Sequence, residues 1–163
     1  MELIVSWKDR LWGRSAKLED VDTTWYSENL SIYKWPASNG LVAKPQGQDR
    51  YGVTAYIPRR DELGVCKRDR IYKVVGTASS NFEMIIVVEG VGCVAPDSVA
   101  VIRDIGYFLS YDGVYQYGPS GVASISREKV HAWFATDTYF NRGAFDTAVG
   151  RWNSLYDLYE LLL

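Results

Sequence analysis

Apolar and polar positions along the chain recur in a unit met three times: an extended apolar stretch, a tight polar turn, and a second stretch carrying Trp or Tyr. The first copy runs Leu3-Ile4-Val5-Ser6-Trp7 into Asp9-Arg10-Leu11-Trp12. The second runs Val53-Thr54-Ala55-Tyr56-Ile57 through Arg59-Arg60-Asp61-Glu62 into Leu63-Gly64-Val65-Cys66. The third runs Val99-Ala100-Val101-Ile102 through Arg103-Asp104 into Gly106-Tyr107-Phe108-Leu109. Near-alternation inside these stretches is the period of half-buried strands. The copies begin roughly 45 to 50 residues apart, the period of a four-stranded blade. The pattern predicts an all-β, propeller-like chain of about three to four blades of antiparallel four-stranded sheet.

Blades are expected at about residues 1–37, 51–90 and 91–126, with a partial fourth over 127–163, all in one domain. In the first, strands are expected near 3–7, 10–14, 23–27 and 32–35, followed by a connecting loop over 36–50 rich in Pro, Gly, Ser, Asn and Gln. The second takes 53–58, 63–67, 71–76 and 82–89, and the third 98–102, 106–110, 114–117 and 122–126. Asp112-Gly113 is a strong hairpin turn. A short helix near 126–134, capped by Ser126, follows from the spacing of Val130, Trp133 and Phe134. The tail reads as strands over 144–149 and 154–163 joined at Arg151-Trp152-Asn153, and its last residues fit a helix equally well. Propellers close with about four to eight blades. A shorter arc leaves edges and apolar faces uncovered, so it should associate with copies of itself or with another chain.

Composition sharpens the fold and narrows the chemistry. At 163 residues the chain fits one compact domain, and its 14% aromatic content, with 12 Tyr and 6 Trp, suits broad pleated faces. A formal charge of −2 is unsuited to a phosphate-binding surface, and the one basic cluster, Lys67-Arg68-Asp69-Arg70, is interrupted by an acid, so no nucleic-acid partner is expected. Cys66 and Cys93 lie in apolar stretches without metal-ligand spacing and read as buried reduced thiols, with a disulfide left open. No signal-like segment opens the sequence, and the longest apolar run, 84–95, is broken by Glu89 and too short for a bilayer, so no membrane insertion is expected.

Catalytic patterns are scarce. A single histidine, His131, has no Ser and Asp at recognisable spacing, and no His or Cys cluster or calcium loop appears, so neither enzyme activity nor a cofactor or metal is expected. Most carboxylates, such as Asp61, Glu62, Asp104 and Asp112, fall in turns, which they stabilise locally. Ser110-Tyr111-Asp112-Gly113-Val114-Tyr115 differs in spacing from the aspartate box of sialidases. The candidate binding residues are aromatic: Trp35, Tyr51, Tyr117, Trp133 and Tyr139 lie at or near expected loops. Exposed, such rings stack on sugars or anchor protein interfaces; buried, they plug seams between blades.

A specific resemblance begins at the third unit. Gly92-Cys93-Val94-Ala95-Pro96-Asp97-Ser98-Val99, then Phe108-Leu109-Ser110-Tyr111-Asp112-Gly113-Val114-Tyr115, then Ser124-Ile125-Ser126, resembles a blade of bacteriophage virion propeller proteins. Arg10-Leu11-Trp12 with Trp25-Tyr26-Ser27 is similar to another hairpin of those proteins, and the likeness spans most of residues 7–130. The resemblance implies a structural part of a phage tail, of nozzle, tail-tip or adsorption type, with no catalytic residues to carry over. It implies a virion location after synthesis in the host cytoplasm, with other tail proteins as partners. Its relatives hold a complete propeller in a longer polypeptide. The alternative is a carbohydrate-binding propeller recognising host-surface glycans through loop aromatics.

Overall fold

The structure is a computed structural model that describes residues 3–43, 52–128, 130–135 and 139–163. It is mostly β. Strands β1 (Leu3–Trp7), β2 (Arg10–Arg14), β3 (Thr23–Tyr26) and β4 (Gly40–Val42) form a first antiparallel sheet in chain order. Strands β5 (Ala55–Pro58), β6 (Leu63–Cys66), β7 (Arg70–Val75) and β8 (Glu83–Glu89) form a second in the same way. The third holds β9 (Ala100–Ile102), β10 (Ile105–Ser110), β11 (Gly113–Gly118) and β12 (Gly121–Ser124). After one short helix, α1 (His131–Ala135), the hairpin of β13 (Val149–Asn153) and β14 (Leu158–Leu162) makes a two-stranded fourth sheet.

The recurring unit is the first hairpin of each four-stranded sheet. Two of these turns are built on a basic residue followed by Asp: Lys8 and Asp9 have φ of 47° and 56°, and Arg103 and Asp104 have 49° and 68°. Two successive positive φ values match the right-handed twist of the flanking strands, and Asp tolerates that region better than most residues.

Alternation then decides what each sheet buries. Val5, Trp12 and Tyr26 stand in one row across the first sheet and pack with Tyr56, Val65 and Tyr72 of the second. The second sheet's opposite face supplies Ile57, Cys66 and Ile71, which meet Phe108, Tyr115 and Tyr117 of the third. Leu109, on the third sheet's other face, packs with Phe134, Phe145 and Leu161. The sheets thus stack in chain order with one apolar seam between neighbours, and first strands β1, β5, β9 and β13 lie successively side by side.

Polar ties cross these seams. The buried Arg59, at the β5–β6 turn, donates from Nε to the Asp104 carbonyl at 2.8 Å and pairs with the Asp104 carboxylate at 3.3 Å. It also pairs with Glu62 and lies 5.0 Å from the Tyr117 ring centroid, while its own carbonyl accepts the Trp7 indole N–H at 2.6 Å. One residue therefore joins three sheets. Beyond β6, buried Lys67 pairs with Asp22 of the first sheet at 2.7 Å. The Lys67 carbonyl accepts from Cys93 N at 2.9 Å.

Three expectations are corrected. Residues 32–35 are not a strand, and the first sheet continues to Val42 instead of ending near 37. Bonds from Glu28 N to the Lys34 carbonyl and from Ser31 N to the Glu28 carbonyl close residues 28–34 into a local loop, and β4 pairs within the stretch read as a connector, of which 44–50 lie outside the described residues. The helix begins at His131 and not near 126, and the Ser126 hydroxyl accepts from Val114 N at 2.9 Å. In the tail, Arg142–Thr147 forms a 3-10 helix, and Arg151-Trp152-Asn153 belongs to β13, with its polar members bonded across the hairpin to Glu160 at 2.6 and 2.7 Å.

Removing the Arg59 side chain takes a buried cation away from Glu62 and Asp104, leaving Glu62 with Lys73 and the Tyr117 hydroxyl and Asp104 with the Arg60 N–H. Arg59→Ala is expected to cost about 1 to 3 kcal/mol, read from the urea midpoint; a loss within about 0.5 kcal/mol, the usual range for surface changes, contradicts this role. Burial also raises the phenol pKa values of Tyr56, Tyr117 and Tyr159, with Glu62 adding to the shift at Tyr117. Their folded values exceed the unfolded value near 10, so this stability is complete below about pH 10 and is lost as the pH rises toward the folded values. Urea midpoints measured from about pH 8 to about pH 11 should fall at the alkaline end.

Candidate functional site

Beyond β12 the chain crosses the outer face of the third sheet. Bonding of Ser126 to β11 directs the backbone into α1, a single turn and a half with two unlike sides. Phe134 points inward, 5.1 Å from Phe140 and 6.0 Å from Phe145 between ring centroids, over Leu109 and Val114. Trp133 points outward and is 47% exposed. Tyr139, 65% exposed, stands beside it with centroids 6.0 Å apart and planes at 39°. Phe140 meets the Trp133 ring edge to face at 6.5 Å.

Trp133, but not Tyr139, lines a cavity of about 360 Å³ together with Val114, Val130, Phe134, Phe140, Leu161 and Leu163. Among the described residues no charged or amide side chain lines it. Such a surface offers apolar contact and ring stacking, and the polar groups of the ring pair are the Trp133 indole N–H and the Tyr139 hydroxyl.

Of the five aromatic residues singled out in the sequence, Trp133 and Tyr139 are brought together by the structure. Trp35 lies in the loop after β3, half-buried, its indole N–H donating to the Ile32 carbonyl at 3.1 Å, far along the stack from α1. Tyr51 lies outside the described residues. Tyr117 is a correction: its ring is buried on Gly64, where an added Cβ would come within 3.0 Å of it, and its hydroxyl donates to Glu62 at 2.6 Å. A strand end near a polar turn looked like a loop position, and the missing side chain at Gly64 is what admits the ring to the seam. Phe140 and Leu161, which complete the apolar patch, went unnoticed because they sit in the weakly patterned tail.

Other groups are committed to structure. Cys66 and Cys93 are free, buried thiols, and burial pushes Cys93 up to about 12. Arg68 donates to the Tyr111 hydroxyl at 2.9 Å and Arg70 pairs with Asp69 at 3.2 Å, so the basic cluster is spent on internal contacts. A cavity of about 390 Å³ brings Asp97 and Asp146 near Arg14 and Arg68, and both acids are exposed. A second, of about 330 Å³, lies among the first strands and is lined by Ile4, Val5, Ala55, Pro58, Val99 and Val101 among others. Among the described residues there is no group of three or more His, Cys, Asp or Glu able to hold a metal, and no helix long and apolar enough to cross a membrane.

No protein-family model matches the chain, and no curated protein is significantly similar to it.

Both exposed rings are expected to be dispensable for folding. Trp133→Ala with Tyr139→Ala should change unfolding free energy by no more than about 1 kcal/mol. The same pair of substitutions should weaken binding of a hydrophobic dye in a fluorescence titration, and undiminished dye binding would place the accessible apolar surface elsewhere.

Proposed function

We propose that the chain is a propeller-like structural module of a bacteriophage or prophage tail, of nozzle, tail-tip or adsorption type, acting through assembly with other proteins. The observation carrying this reading is that, among the described residues, both end sheets of the stack carry apolar side chains on their outward faces. On the first sheet, Ile4, Gly13, Trp25 and Gly40 form one row across all four strands, facing away from the core, with Ile4 56% exposed. Trp25 lies flat against the sheet, because an added Cβ at Gly40 would sit 3.1 Å from its ring. On the last sheet, Val149, Leu158 and Leu162 face outward on either side of the bonded Arg151, Asn153 and Glu160, with Leu162 64% exposed.

Terminal faces of this kind lose hydration cost only when another surface covers them. In the propeller reading, each sheet is a blade and the adjoining first strands surround an axis, so another subunit or another protein continues the ring. The phage assignment itself rests on the sequence resemblance around Gly92-Cys93 and Phe108-Leu109-Ser110. Trp133 and Tyr139 favour a second reading, glycan recognition, through their exposed paired rings. The described residues lining the cavity beside them are apolar, which favours a protein partner.

Two measurements test the proposal. Light scattering over a range of concentration should show the chain forming a defined multimer or a stoichiometric complex with a tail protein. Mass spectrometry of purified particles from a producing culture should find its peptides among the structural proteins. A concentration-independent monomer, absent from particles and retained by a surface polysaccharide through Trp133, would replace assembly with the glycan reading.

A further inference from the structure

We propose that Asn39-Gly40 is a self-modifying site, where the chain converts Asn39 to an isoaspartyl linkage without an enzyme and thereby frees β4 from β3. The inference stands apart from the assembly reading. Asparagine is thermolabile because the next residue's backbone nitrogen can attack its side-chain carbonyl, and glycine, lacking a Cβ, hinders that attack least. The sequence holds five asparagines, and Asn39 alone precedes glycine. Asn81 accepts from the N–H groups of Thr77 and Ala78, Asn141 from that of Gly143 and Asn153 from that of Leu155, so these side chains are held in turns. Asn29 precedes Leu30, whose N–H is bonded to the Asp9 carbonyl at 2.7 Å. Among the described residues none bonds the side chain of Asn39.

The ladder leaves the attacking nitrogen accessible. β3 and β4 run antiparallel, with Trp25 opposite Gly40, Thr24 opposite Leu41 and Thr23 opposite Val42. Tyr26 N donates to the Asn39 carbonyl at 3.0 Å, and Ala43 N donates to the Asp22 carbonyl at 2.9 Å. Antiparallel pairs alternate between bonded and non-bonded, so 26/39, 24/41 and 22/43 are bonded pairs and Gly40 falls in a non-bonded one. Its N–H therefore points away from β3, to the side of β4 where no strand pairs among the described residues. Glycine is required at this position, because an added Cβ would meet the Trp25 ring and the Thr23 methyl, both at 3.1 Å. The turn before it, closed by Asn39 N on the Pro36 carbonyl at 2.9 Å, carries the exposed Ala37 and Ser38, and Asn39 itself is half-buried. Packing of Trp25 thus imposes the residue that makes Asn39 labile.

The chemistry is a balanced exchange of ammonia for water. The Gly40 nitrogen gives its proton to hydroxide and bonds to Asn39 Cγ, and the Cγ–Nδ2 bond breaks to release ammonia. Water then opens the cyclic imide. Attack at Cγ yields aspartate, whereas attack at the backbone carbonyl leaves the chain running through Cβ and Cγ, with one extra backbone carbon. That carbon separates the 26/39 pair from the 24/41 and 22/43 pairs, which share one register in the unmodified chain. β4 has 3 residues and little else to hold it on β3. Leu41 and the fully buried Ala43 pack in the first core cluster with Trp12 and Tyr26, so release of β4 withdraws them from it. β4 also lies beside β8, which carries the change to the seam with the second sheet.

The test is ageing of the whole chain in mildly alkaline buffer, with isoaspartate read by enzymatic methyl transfer and located by peptide fragmentation. Label should gather at residue 39, faster at higher pH because the Gly40 nitrogen must lose a proton. Its rate in the folded chain should lie within about tenfold of that in urea, which corresponds to a local opening cost below about 1.4 kcal/mol. In the aged chain the amides of Tyr26 and Ala43 should exchange faster than in fresh chain. Asn39→Gln, whose longer side chain needs a larger and more slowly formed ring, should stay unlabelled at this position and keep slow exchange after the same incubation. Label absent from residue 39 in the folded chain, or formed there more than about tenfold slower than in urea, overturns the proposal. So does label confined to Asp112-Gly113, where the Tyr115 hydroxyl donates to the carboxylate at 2.9 Å. Unchanged exchange at Tyr26 and Ala43 after conversion overturns the release of β4, as does equal loosening in Asn39→Gln.

Discussion

The stack depends on the guanidinium of Arg59. Apolar seams bring the sheets together but are non-directional, and Trp, Tyr and Val faces of this kind would pack at several offsets. Arg59 removes that freedom, because its planar fork meets Asp104 of the third sheet and Glu62 of its own turn while its carbonyl holds Trp7 of the first. The Lys67–Asp22 pair beyond β6 fixes the same two sheets at a second point. Two anchors on one sheet define an orientation, where one would define only a pivot. Burying these charges costs solvation, and their return is register rather than raw stability.

Much of the fold is legible in local pattern. Strand alternation places β5 to β8 and β9 to β12 within a residue or two of their expected bounds, because each hairpin carries both a period-two apolar run and its own turn chemistry. β4 is not legible: three residues, Gly40–Val42, leave too little pattern, and Trp35 with Tyr33 imitates a strand inside a loop closed by its own backbone bonds. The sequence pattern predicts two strands in the tail but places the first at 144–149, because Arg151 and Asn153 resemble turn residues until Glu160 is found across from them in β14.

The candidate site divides in the same way. Trp133 and Tyr139 stand out as large rings in a segment of loose register, and the backbone there does leave them outside the core. Tyr117 looks equivalent in sequence, yet its fate is decided by Gly64, fifty residues earlier in the chain, and by a carboxylate on the neighbouring turn. Long-range complementarity of that sort has no local signature.

The last sheet carries the argument from fold to function. A four-stranded sheet covers its neighbour across its full width, whereas two strands cover only β9 and β10 and leave β11 and β12 with a partly bare face. Exposed apolar side chains occur along the whole stack, from Ile4, Leu30 and Tyr33 at the first sheet to Ile125, Trp133, Tyr139, Leu158 and Leu162 at or beside the last. Among the described residues β14 pairs with β13 alone, and apolar surface beside such an edge stays in water at a cost in hydration until another surface covers it.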